Sequence, residues 1–427
     1  MSTKSFLRRC SFLFSVAALS LLFISHPALA KDDQAVVLTG YPDNISRKYQ
    51  EAFEKKYPGK KITVKKVSSG KVLSEVQGDA DADIYWAAAL RAFDELNKNK
   101  LFAKLNLDPA VHPYQIAGSP IADADGHYAA FELAGYAIAY NQNAIQKLGV
   151  AAPKEWSDLA NPVYAGKITL PMPKSAGGPA PMAVETILQA YGWEKGWALL
   201  SEMVGNAYVK KDDDKKNPLT SGDVAAQINL DFFIASGIEK DSPVRLIYPQ
   251  QTAYNPGLIG ILNKAKNKET AQQFVDFALS EEGQKMLYDD FSRLPARRDL
   301  FDSDKISVAN PYTNTTLKYD WQTAQVRAPL VVALFDTVLT QKQAEYAPLW
   351  QALYAAQGKV PTDKINEVRK LLTAMPVNET QQADQSLRTL FAAPKEDAKA
   401  QEEQGKIKKQ WEEDATKRIE QVKTLLK

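Results

Sequence analysis

Residues 168–182 read ITLPMPKSAGGPAPM, and this stretch contains the three parts from which the fold is built. A short β-type run, residues 167–170, ends at a proline. A loop of small residues, 174–178, follows it, and a helical pattern begins at about Pro181. This order leaves backbone N–H groups unpaired at the start of the helix, with no bulky side chain in front of them. A small anion could approach such a helix start closely.

The same order of strand, loop and helix occurs repeatedly near the start of the chain. Buried-strand patterns that precede a loop and a helical pattern lie at residues 35–38, 62–67 and 82–86. Such β-loop-α units predict a doubly wound α/β lobe with a mostly parallel sheet. Ligands of these sheets bind beyond the carboxyl ends of the strands, which is where Thr39, Ser69 and Trp86 lie.

Two long extended runs, residues 128–141 and 244–263, bracket a further α/β block. They are typical of strands that cross between two lobes, although a single larger α/β domain would show the same pattern. The predicted organisation is a segment 1–30 outside the fold, a first lobe of residues 31–133 and 253–300, a second lobe of residues 134–252 and 301–345, and a helical C-terminal extension of residues 346–427. The last helix of this extension, from Lys395, is either an amphipathic appendage packed on one lobe or a docking element for a partner.

The first thirty residues have the pattern of a secretory signal peptide. A basic start precedes an apolar run at residues 12–24, and Ala28-Leu29-Ala30 predicts cleavage after Ala30. The sole cysteine of the sequence, Cys10, lies in this segment. The remaining chain is therefore expected to have no disulfide, no cysteine metal site and no cysteine nucleophile. An exported chain of this kind is expected in the bacterial periplasm.

Charge and residue content argue against several classes of function. Without the basic residues of the signal segment, 50 Lys and Arg face 51 Asp and Glu, so nucleic acid is not an expected partner. His112 and His127 lack a neighbouring serine, acid or cysteine pattern of a catalytic triad. We therefore expect a binding protein without a cofactor, and no enzyme. An exported hydrolase and a purely structural interaction protein are the competing classes.

The first candidates for ligand contacts lie in the opening stretch. Ser175, Gly177 and Gly178 offer a hydroxyl and free N–H groups, which suit a phosphate oxygen, and Lys174 could neutralise its charge. The alternative is that Ser175 only caps its own helix. Thr39 and the pair Ser69 and Gly70 are analogous candidates with the same alternative, because each also lies between a strand and a helix.

A second group of candidates would distinguish one anion from another. Tyr41 could pack over the ligand or over the surface of its lobe, and Trp86 could donate its indole N–H or fill the core. Glu132 and Asp231 could accept hydrogen bonds from hydroxyl groups of a ligand. Alternatively, these two acids pair with lysine or arginine in the hinge. Asn255 completes the group.

Four quoted segments together resemble one protein family. They are FEKKYPG at 53–59, ADIYW at 82–86, SGDVA at 221–225 and AQQFVDFALSEEGQKM at 271–286. Their order and spacing resemble those of the periplasmic solute-binding proteins of ABC importers. Within that family, the chain resembles the branch of ferric-ion, sugar-phosphate and phosphonate binders, and the resemblance covers about residues 35–300. The resemblance implies a two-lobe Venus-flytrap fold that closes on a ligand. We expect a monomer that serves an ABC permease or a membrane sensor.

Within this branch, the ferric-ion binders resemble one another in an adjacent Tyr-Tyr pair, where this chain has Phe232-Phe233. Phenylalanine has no oxygen with which to bind Fe(III), so ferric-ion binding is the alternative and not the first expectation. The segment 231–233 and the turns near Tyr248 and Asn255 are similar to the subset that binds small phosphorylated metabolites. That similarity implies phosphoglycerate or a sugar phosphate as ligand, and for some members a membrane sensor kinase system as partner.

Overall fold

The computed structural model describes residues 33–78, 81–173, 179–209, 217–235, 241–303, 306 and 308–427. In chain order, its strands are β1 (Gln34–Thr39), β2 (Lys61–Lys66), β3 (Ile84–Ala87), β4 (Gln115–Ile116), β5 (Ser119–Pro120), β6 (Ala129–Asn141), β7 (Ile168–Thr169), β8 (Ala226–Leu230), β9 (Val244–Ile247), β10 (Tyr254–Ile261) and β11 (Leu294–Pro295). The α-helices are α1 (Asp43–Lys56), α2 (Val72–Gln77), α3 (Leu90–Lys98), α4 (Gln142–Leu148), α5 (Pro179–Tyr191), α6 (Trp193–Gly205), α7 (Pro218–Ser221), α8 (Asp231–Ala235), α9 (Lys268–Leu279), α10 (Glu281–Phe291), α11 (Asp299–Asp302), α12 (Pro311–Asn314), α13 (Trp321–Leu334), α14 (Gln343–Ala356), α15 (Thr362–Thr373), α16 (Glu379–Gln382), α17 (Gln385–Ala392) and α18 (Ala398–Leu425). Short 3-10 helices lie at Trp156–Ala160 and Pro162–Tyr164, and a π-helical segment, Phe335–Thr340, continues α13.

The first lobe is a sheet with helices on both faces. β1 runs parallel to β2 and β3, and β10 lies antiparallel between β3 and β6. Alternate residues of β1 and β3 belong to two different cores, one shared with α1 and α9 and the other shared with α2 and α3. Because successive side chains of a strand point to opposite faces, the helices cover both sides of this sheet. The doubly wound lobe expected from the β-loop-α units is confirmed.

Strand β6 belongs to both lobes. Its first part, from Ala129 to Gly135, pairs with β10, and its second part, from Tyr136 to Asn141, pairs with β8 and β9. The whole sheet has the order β2-β1-β3-β10-β6-β8-β7, with β9 and β11 also paired to β6. The two extended runs found in the sequence are therefore the segments at which the chain passes between the lobes. The two-lobe α/β fold is confirmed.

Gly257 marks a close approach between the strands that cross between the lobes. It lies opposite Glu132, and the pairing of β10 with β6 shifts at this point. A Cβ atom at residue 257 would overlap the hydroxyl oxygen of Tyr41 and lie 3.1 Å from Cγ of Glu132. Both neighbours are buried, so the strands would have to move apart. We expect Gly257→Ala to lower the free energy of unfolding by about 3 kcal/mol, measured by urea denaturation.

Gly405 provides the matched control for this substitution. It lies on the exposed side of α18, and a Cβ atom there would meet no atom within 4 Å. Because alanine is the better helix former, Gly405→Ala should raise the free energy of unfolding by about 0.5–1 kcal/mol. Equal stability of the two variants would contradict the steric explanation at Gly257.

The C-terminal extension packs on the second lobe. Helix α14 lies against α6 so closely that a Cβ atom at Gly205 would overlap the ring of Trp350. The buried face of α18 carries Trp411, Ala415 and Ile419 at helical spacing, and Trp411 stacks on Phe391 of α17 with ring centroids 5.2 Å apart. Of the two roles expected for this last helix, the structure favours packing on one lobe. Among the described helices, none combines the length and apolar character needed to cross a bilayer.

Candidate functional site

A cavity of about 570 Å³ lies between the two lobes. From the first lobe it is lined by the loop after β2 and by the start of α3, at Ser69, Gly70, Ala88, Ala89, Leu90, Arg91, Ala92 and Glu95. From the other side it is lined by α5 and α13, at Pro181, Met182, Glu185, Trp321, Ala324, Gln325 and Ala328. Asn255, in the strand where the chain returns to the first lobe, also lines it. Cavities between lobes and beyond strand ends are the usual places for small ligands.

The predicted residues Ser69, Gly70 and Asn255 are brought together at this cavity. Ser69 and Gly70 are exposed in the turn between β2 and α2, and a Cβ atom at Gly70 would meet nothing within 4 Å. Space is therefore available in front of this backbone for a ligand. Their role as ligand contacts stays a prediction, but their position at the cavity agrees with it.

The start of α3 is a site element that the sequence analysis did not single out. Its N-cap is Ala89, whose side chain cannot accept a hydrogen bond, and Ala88 before it is exposed in the cavity. The first amides of this nine-residue helix therefore have no capping side chain, and the two residues that precede the helix have only methyl side chains. The signal in the sequence was the run Ala87-Ala88-Ala89 directly after a strand, which has the same small-residue character as the other loops.

The opposite wall includes the start of α5. Met182 and Glu185 of its first two turns line the cavity. The expected strand and helix of the opening stretch are found as β7 and α5, with the helix beginning at Pro179. The candidates Lys174, Ser175, Gly177 and Gly178 lie outside the described residues, so their role stays a prediction.

Three other candidates are buried away from the cavity. Thr39 is fully buried, and its Oγ1 accepts a hydrogen bond from the backbone N–H of Tyr41 at 3.0 Å. Trp86 is also fully buried, with ring centroids 4.8 Å from Tyr41 and 4.9 Å from Phe131. Burial raises the pKa of the Tyr41 hydroxyl, and the nearby carboxylate of Glu132 adds to this effect. The structure places these side chains in the aromatic core of the first lobe and not on the surface of the cleft.

The candidate Glu132 is paired with an arginine in the hinge. Its Oε1 lies 2.5 Å from Nη1 of Arg293, and both side chains are largely buried. The guanidinium of Arg293 also lies 3.9 Å from the ring centroid of Phe232, at the start of the second lobe's α8. Arg293 therefore links a strand residue of the first lobe to an aromatic ring of the second. Burial raises the pKa of Glu132, against the opposing effect of Arg293.

The candidate Asp231 is buried at the same crossing point. Its Oδ2 accepts hydrogen bonds from the backbone N–H of Gly135 at 2.9 Å and from the hydroxyl of Tyr248 at 3.1 Å, and its Oδ1 accepts one from the N–H of Phe232 at 2.7 Å. Burial raises the pKa of Asp231 to about 7, although these three donors act in the opposite direction. We call Glu132, Asp231 and Arg293 the hinge cluster. The contact of Glu132 with Arg293 agrees with the alternative of a hinge ion pair. Asp231 is held instead by two backbone amides and a tyrosine hydroxyl.

The raised pKa of Asp231 predicts a pH dependence of stability. In the unfolded chain, an aspartate loses its proton near pH 4, whereas folded Asp231 keeps it to about pH 7. The folded state therefore binds more protons than the unfolded state in this interval, so its contribution to stability is lost as the pH rises. We expect Asp231→Asn to remove a component of up to about 1.4 kcal/mol per pH unit between about pH 4 and 7.

Urea denaturation at several pH values between 4 and 8 would measure this component. Asp276→Asn, on the exposed side of α9, is the control and should follow the unmodified protein. Parallel pH profiles of Asp231→Asn and the unmodified protein would show that folding does not raise the pKa of Asp231.

The acids that line the cavity are already paired with arginines. Glu95 accepts a hydrogen bond from Nε of Arg91 at 3.0 Å, at the exposed edge of the cleft. Glu185 is buried, and Arg327 donates to both of its carboxylate oxygens at 2.7–3.0 Å. Neither acid is therefore an unpaired negative charge facing the cavity. Within the described part of the chain, no group of three or more His, Cys, Asp or Glu is placed to hold a metal ion.

Comparison with known proteins identifies a family for most of this two-lobe region. Residues 82–326, more than half of the chain, match the family of bacterial extracellular solute-binding proteins. The phosphoglycerate transport regulatory protein PgtC of Salmonella typhimurium is 23% identical over 318 residues, which cover 72% of this chain and 76% of that protein. The resemblance to the periplasmic solute-binding proteins of ABC importers, expected from the sequence, is confirmed.

Solved structures share the fold at low sequence identity. The periplasmic binding protein AfuA of Actinobacillus pleuropneumoniae, solved with exogenous fructose 6-phosphate bound, is similar with a TM-score of 0.50, 21% identity and coverage of 72% of this chain and 98% of that one. A Bordetella ferric binding protein is similar with a TM-score of 0.53, 16% identity and coverage of 71% and 98%. This chain is about equally similar to the sugar-phosphate-bound structure and to the ferric binding protein. The shared fold therefore does not indicate which ligand this chain binds.

Proposed function

This chain belongs to the bacterial extracellular solute-binding proteins, and we propose that it captures a small phosphorylated metabolite in the cleft between its two lobes. Phosphoglycerate and sugar phosphates are the members of this class that we favour. The protein would bind its ligand by closure of the lobes and would carry out no reaction on it. Proteins of this family work with ABC permeases, and delivery to such a permease or to a membrane sensor is the output we propose.

The observation that carries this proposal is the uncapped start of α3 at the wall of the cavity. Amides of a helix start that lack a capping side chain offer hydrogen bonds and a partial positive charge to an anion. Here the alanines at 88 and 89 leave the approach open, and Ser69 with Gly70 stands beside them at the same cavity. A phosphate group needs several donors in a small space, and this wall offers them from two neighbouring loops.

The charges around the cavity are compatible with an anionic ligand. The two acids in its lining are neutralised by Arg91 and Arg327, as described above. We propose that Asn255 and Gln325 contribute amide groups that distinguish the uncharged part of the ligand by hydrogen bonding. Lys174 and Ser175 stay proposed as ligand contacts, on the sequence pattern alone.

The relatives support this class of ligand. One is a phosphoglycerate transport regulatory protein, and one solved structure holds fructose 6-phosphate. Ferric ion is the competing ligand, since a Bordetella ferric binding protein has the same fold. However, this chain has Phe232-Phe233 where the ferric-ion binders carry tyrosines, and Glu132 is paired with Arg293 and does not face the cavity. We therefore place iron second.

A panel of ligands would test the proposal. Purified protein would be titrated with 3-phosphoglycerate, fructose 6-phosphate, inorganic phosphate and ferric citrate, with thermal unfolding and calorimetry as readouts. A ligand present at one hundred times its Kd should raise the free energy of unfolding by about 2.7 kcal/mol. Stabilisation by iron alone would refute the proposal, and release of phosphate from an ester would show a hydrolase instead.

Export to the periplasm is part of the same proposal. The family is one of periplasmic solute-binding proteins, and the first thirty residues have the pattern of a signal peptide. We propose cleavage after Ala30. Mass spectrometry of protein recovered from a periplasmic extract would find an amino-terminal Lys31 if this is correct.

A further inference from the structure

The C-terminal extension forms one wall of a groove that continues the cavity outward. This groove has a volume of about 710 Å³ and shares Arg91, Glu95 and Gln325 with the cavity. On the side of the first lobe it is lined by α3, and on the other side by α17 and the turn that precedes α18. Residues 346–427 lie outside the part of the chain that matches the family.

The extension is fixed to the second lobe by buried polar contacts. The indole N–H of Trp193 donates to the carbonyl of Val377 at 2.8 Å, and the hydroxyl of Ser201 donates to the carbonyl of Leu372 at 2.7 Å. Together with the packing of α14 on α6, these contacts couple the extension to the second lobe. We expect the extension to move with that lobe as one body when the cleft closes.

The two walls of the groove carry charges of both signs. Asp94 and Lys98 lie on α3, and Arg388 and Asp397 lie on the extension. Arg388 is held in place by the carbonyl oxygen and the side-chain oxygen of Gln382, at 2.5 Å and 2.8 Å. An approach of the walls would therefore allow pairs of opposite charge to form between lobes.

An apolar residue also lines this groove. Val326 of α13 is 43% exposed and lies on the same side of the helix as Gln322 and Gln325, which are also exposed. A contact between the walls would remove part of this apolar surface from water, and burial of this kind favours the closed state.

We propose that the C-terminal extension is an interlobe latch. When the cleft closes, α17 and the turn before α18 dock on α3, and this contact stabilises the closed form without touching the ligand. A contact present only in the closed form shifts the equilibrium towards closure and so raises the apparent affinity for any ligand of the cleft. The proposal depends on closure of the lobes and not on which ligand is bound.

A pair of cysteines across the groove would test the latch. The sequence has a single cysteine, Cys10, so a Cys10→Ser background leaves only the introduced thiols. Lys98→Cys and Thr389→Cys place one thiol on each wall. The control pair combines Lys98→Cys with Lys409→Cys, which is exposed on α18 and does not line the groove. Both proteins would be treated with copper phenanthroline in the absence of ligand.

We expect the pair across the groove to form a disulfide at least tenfold faster than the control pair. Small-angle scattering of the oxidised protein should then give a smaller radius of gyration than the reduced protein. A groove pair that stays reduced, or that is oxidised no faster than the control pair, would overturn the latch. Disulfide formation without a change in the radius of gyration would also overturn it, because the walls would then meet without closure.

Discussion

Replacement of Ala88 by aspartate should weaken the binding of phosphate esters by about 100-fold or more. Ala88 is exposed in the cavity directly before the first turn of α3. Two unit charges about 4 Å apart repel each other by about 4 kcal/mol at an effective dielectric constant of about 20, and screening lowers this value. A loss of about 2.8 kcal/mol corresponds to the expected factor. Calorimetric titration with fructose 6-phosphate and 3-phosphoglycerate would measure it.

The folded state should tolerate this change. A carboxylate near a helix start interacts favourably with the helix dipole, so the free energy of unfolding should stay equal or rise by a few tenths of a kcal/mol. Ala88→Asn is the matched control, because it has nearly the same shape without the charge. It should lose far less affinity than Ala88→Asp. If the protein is a ferric-ion binder, the order is reversed, because an added carboxylate attracts a cation.

Removal of the Arg293 side chain should destabilise the protein by about 3–5 kcal/mol. Arg293→Met leaves the carboxylate of Glu132 buried without its cationic partner, and breaking a buried ion pair from one side has costs of this size. It also removes the guanidinium from the face of Phe232 and so weakens the link between the lobes. Urea denaturation at pH 7 would measure the change.

The double variant Glu132→Gln with Arg293→Met separates charge from packing. If the cost comes from the unpaired carboxylate, the double variant should recover most of the lost stability. If the two single effects add, the pair does not interact energetically, and the hinge cluster would have no electrostatic role. Single Arg293→Met should also be relatively more stable at low pH, where Glu132 accepts a proton.

The parts of the fold that depend on local pattern were predictable from the sequence. The continuous apolar run of β1 and the helix face formed by Ile45, Tyr49 and Phe53 are local patterns, so β1, α1 and their neighbours were predicted close to their observed positions. Ser69 and Gly70 were found for the same reason, because loops after parallel strands collect at one edge of the sheet.

The parts that depend on distant pairing were not predictable. Glu132 and Arg293 are separated by 161 residues, and nothing near either one shows that they meet. The start of α3 was also missed, because Ala88 and Ala89 have no polar side chain and alanine is more typical of a helix than of a binding site. A site built from backbone amides is therefore harder to find in a sequence than one built from side chains.

The C-terminal extension was also only partly predictable from the sequence. Its helices and their apolar faces were visible, including the spacing of Trp411, Ala415 and Ile419. The lobe on which these helices pack depends on close contacts such as that of Trp350 with Gly205. Such contacts require complementary shapes on both surfaces. The sequence did not indicate that α17 and α3 would line opposite sides of one groove.

The place of β10 in the sheet determines when the first lobe can fold. This strand lies between β3 and β6, although it follows β6 by more than one hundred residues in the chain. A nascent chain that ends before Tyr254 therefore lacks the strand that joins β1–β3 to β6, and its edges at β3 and β6 remain open to other partners. Contacts between residues so far apart in sequence form slowly. The first lobe can therefore be completed only after one of the later strands of the chain has been made, and a chaperone that holds the unfinished chain would protect these open edges.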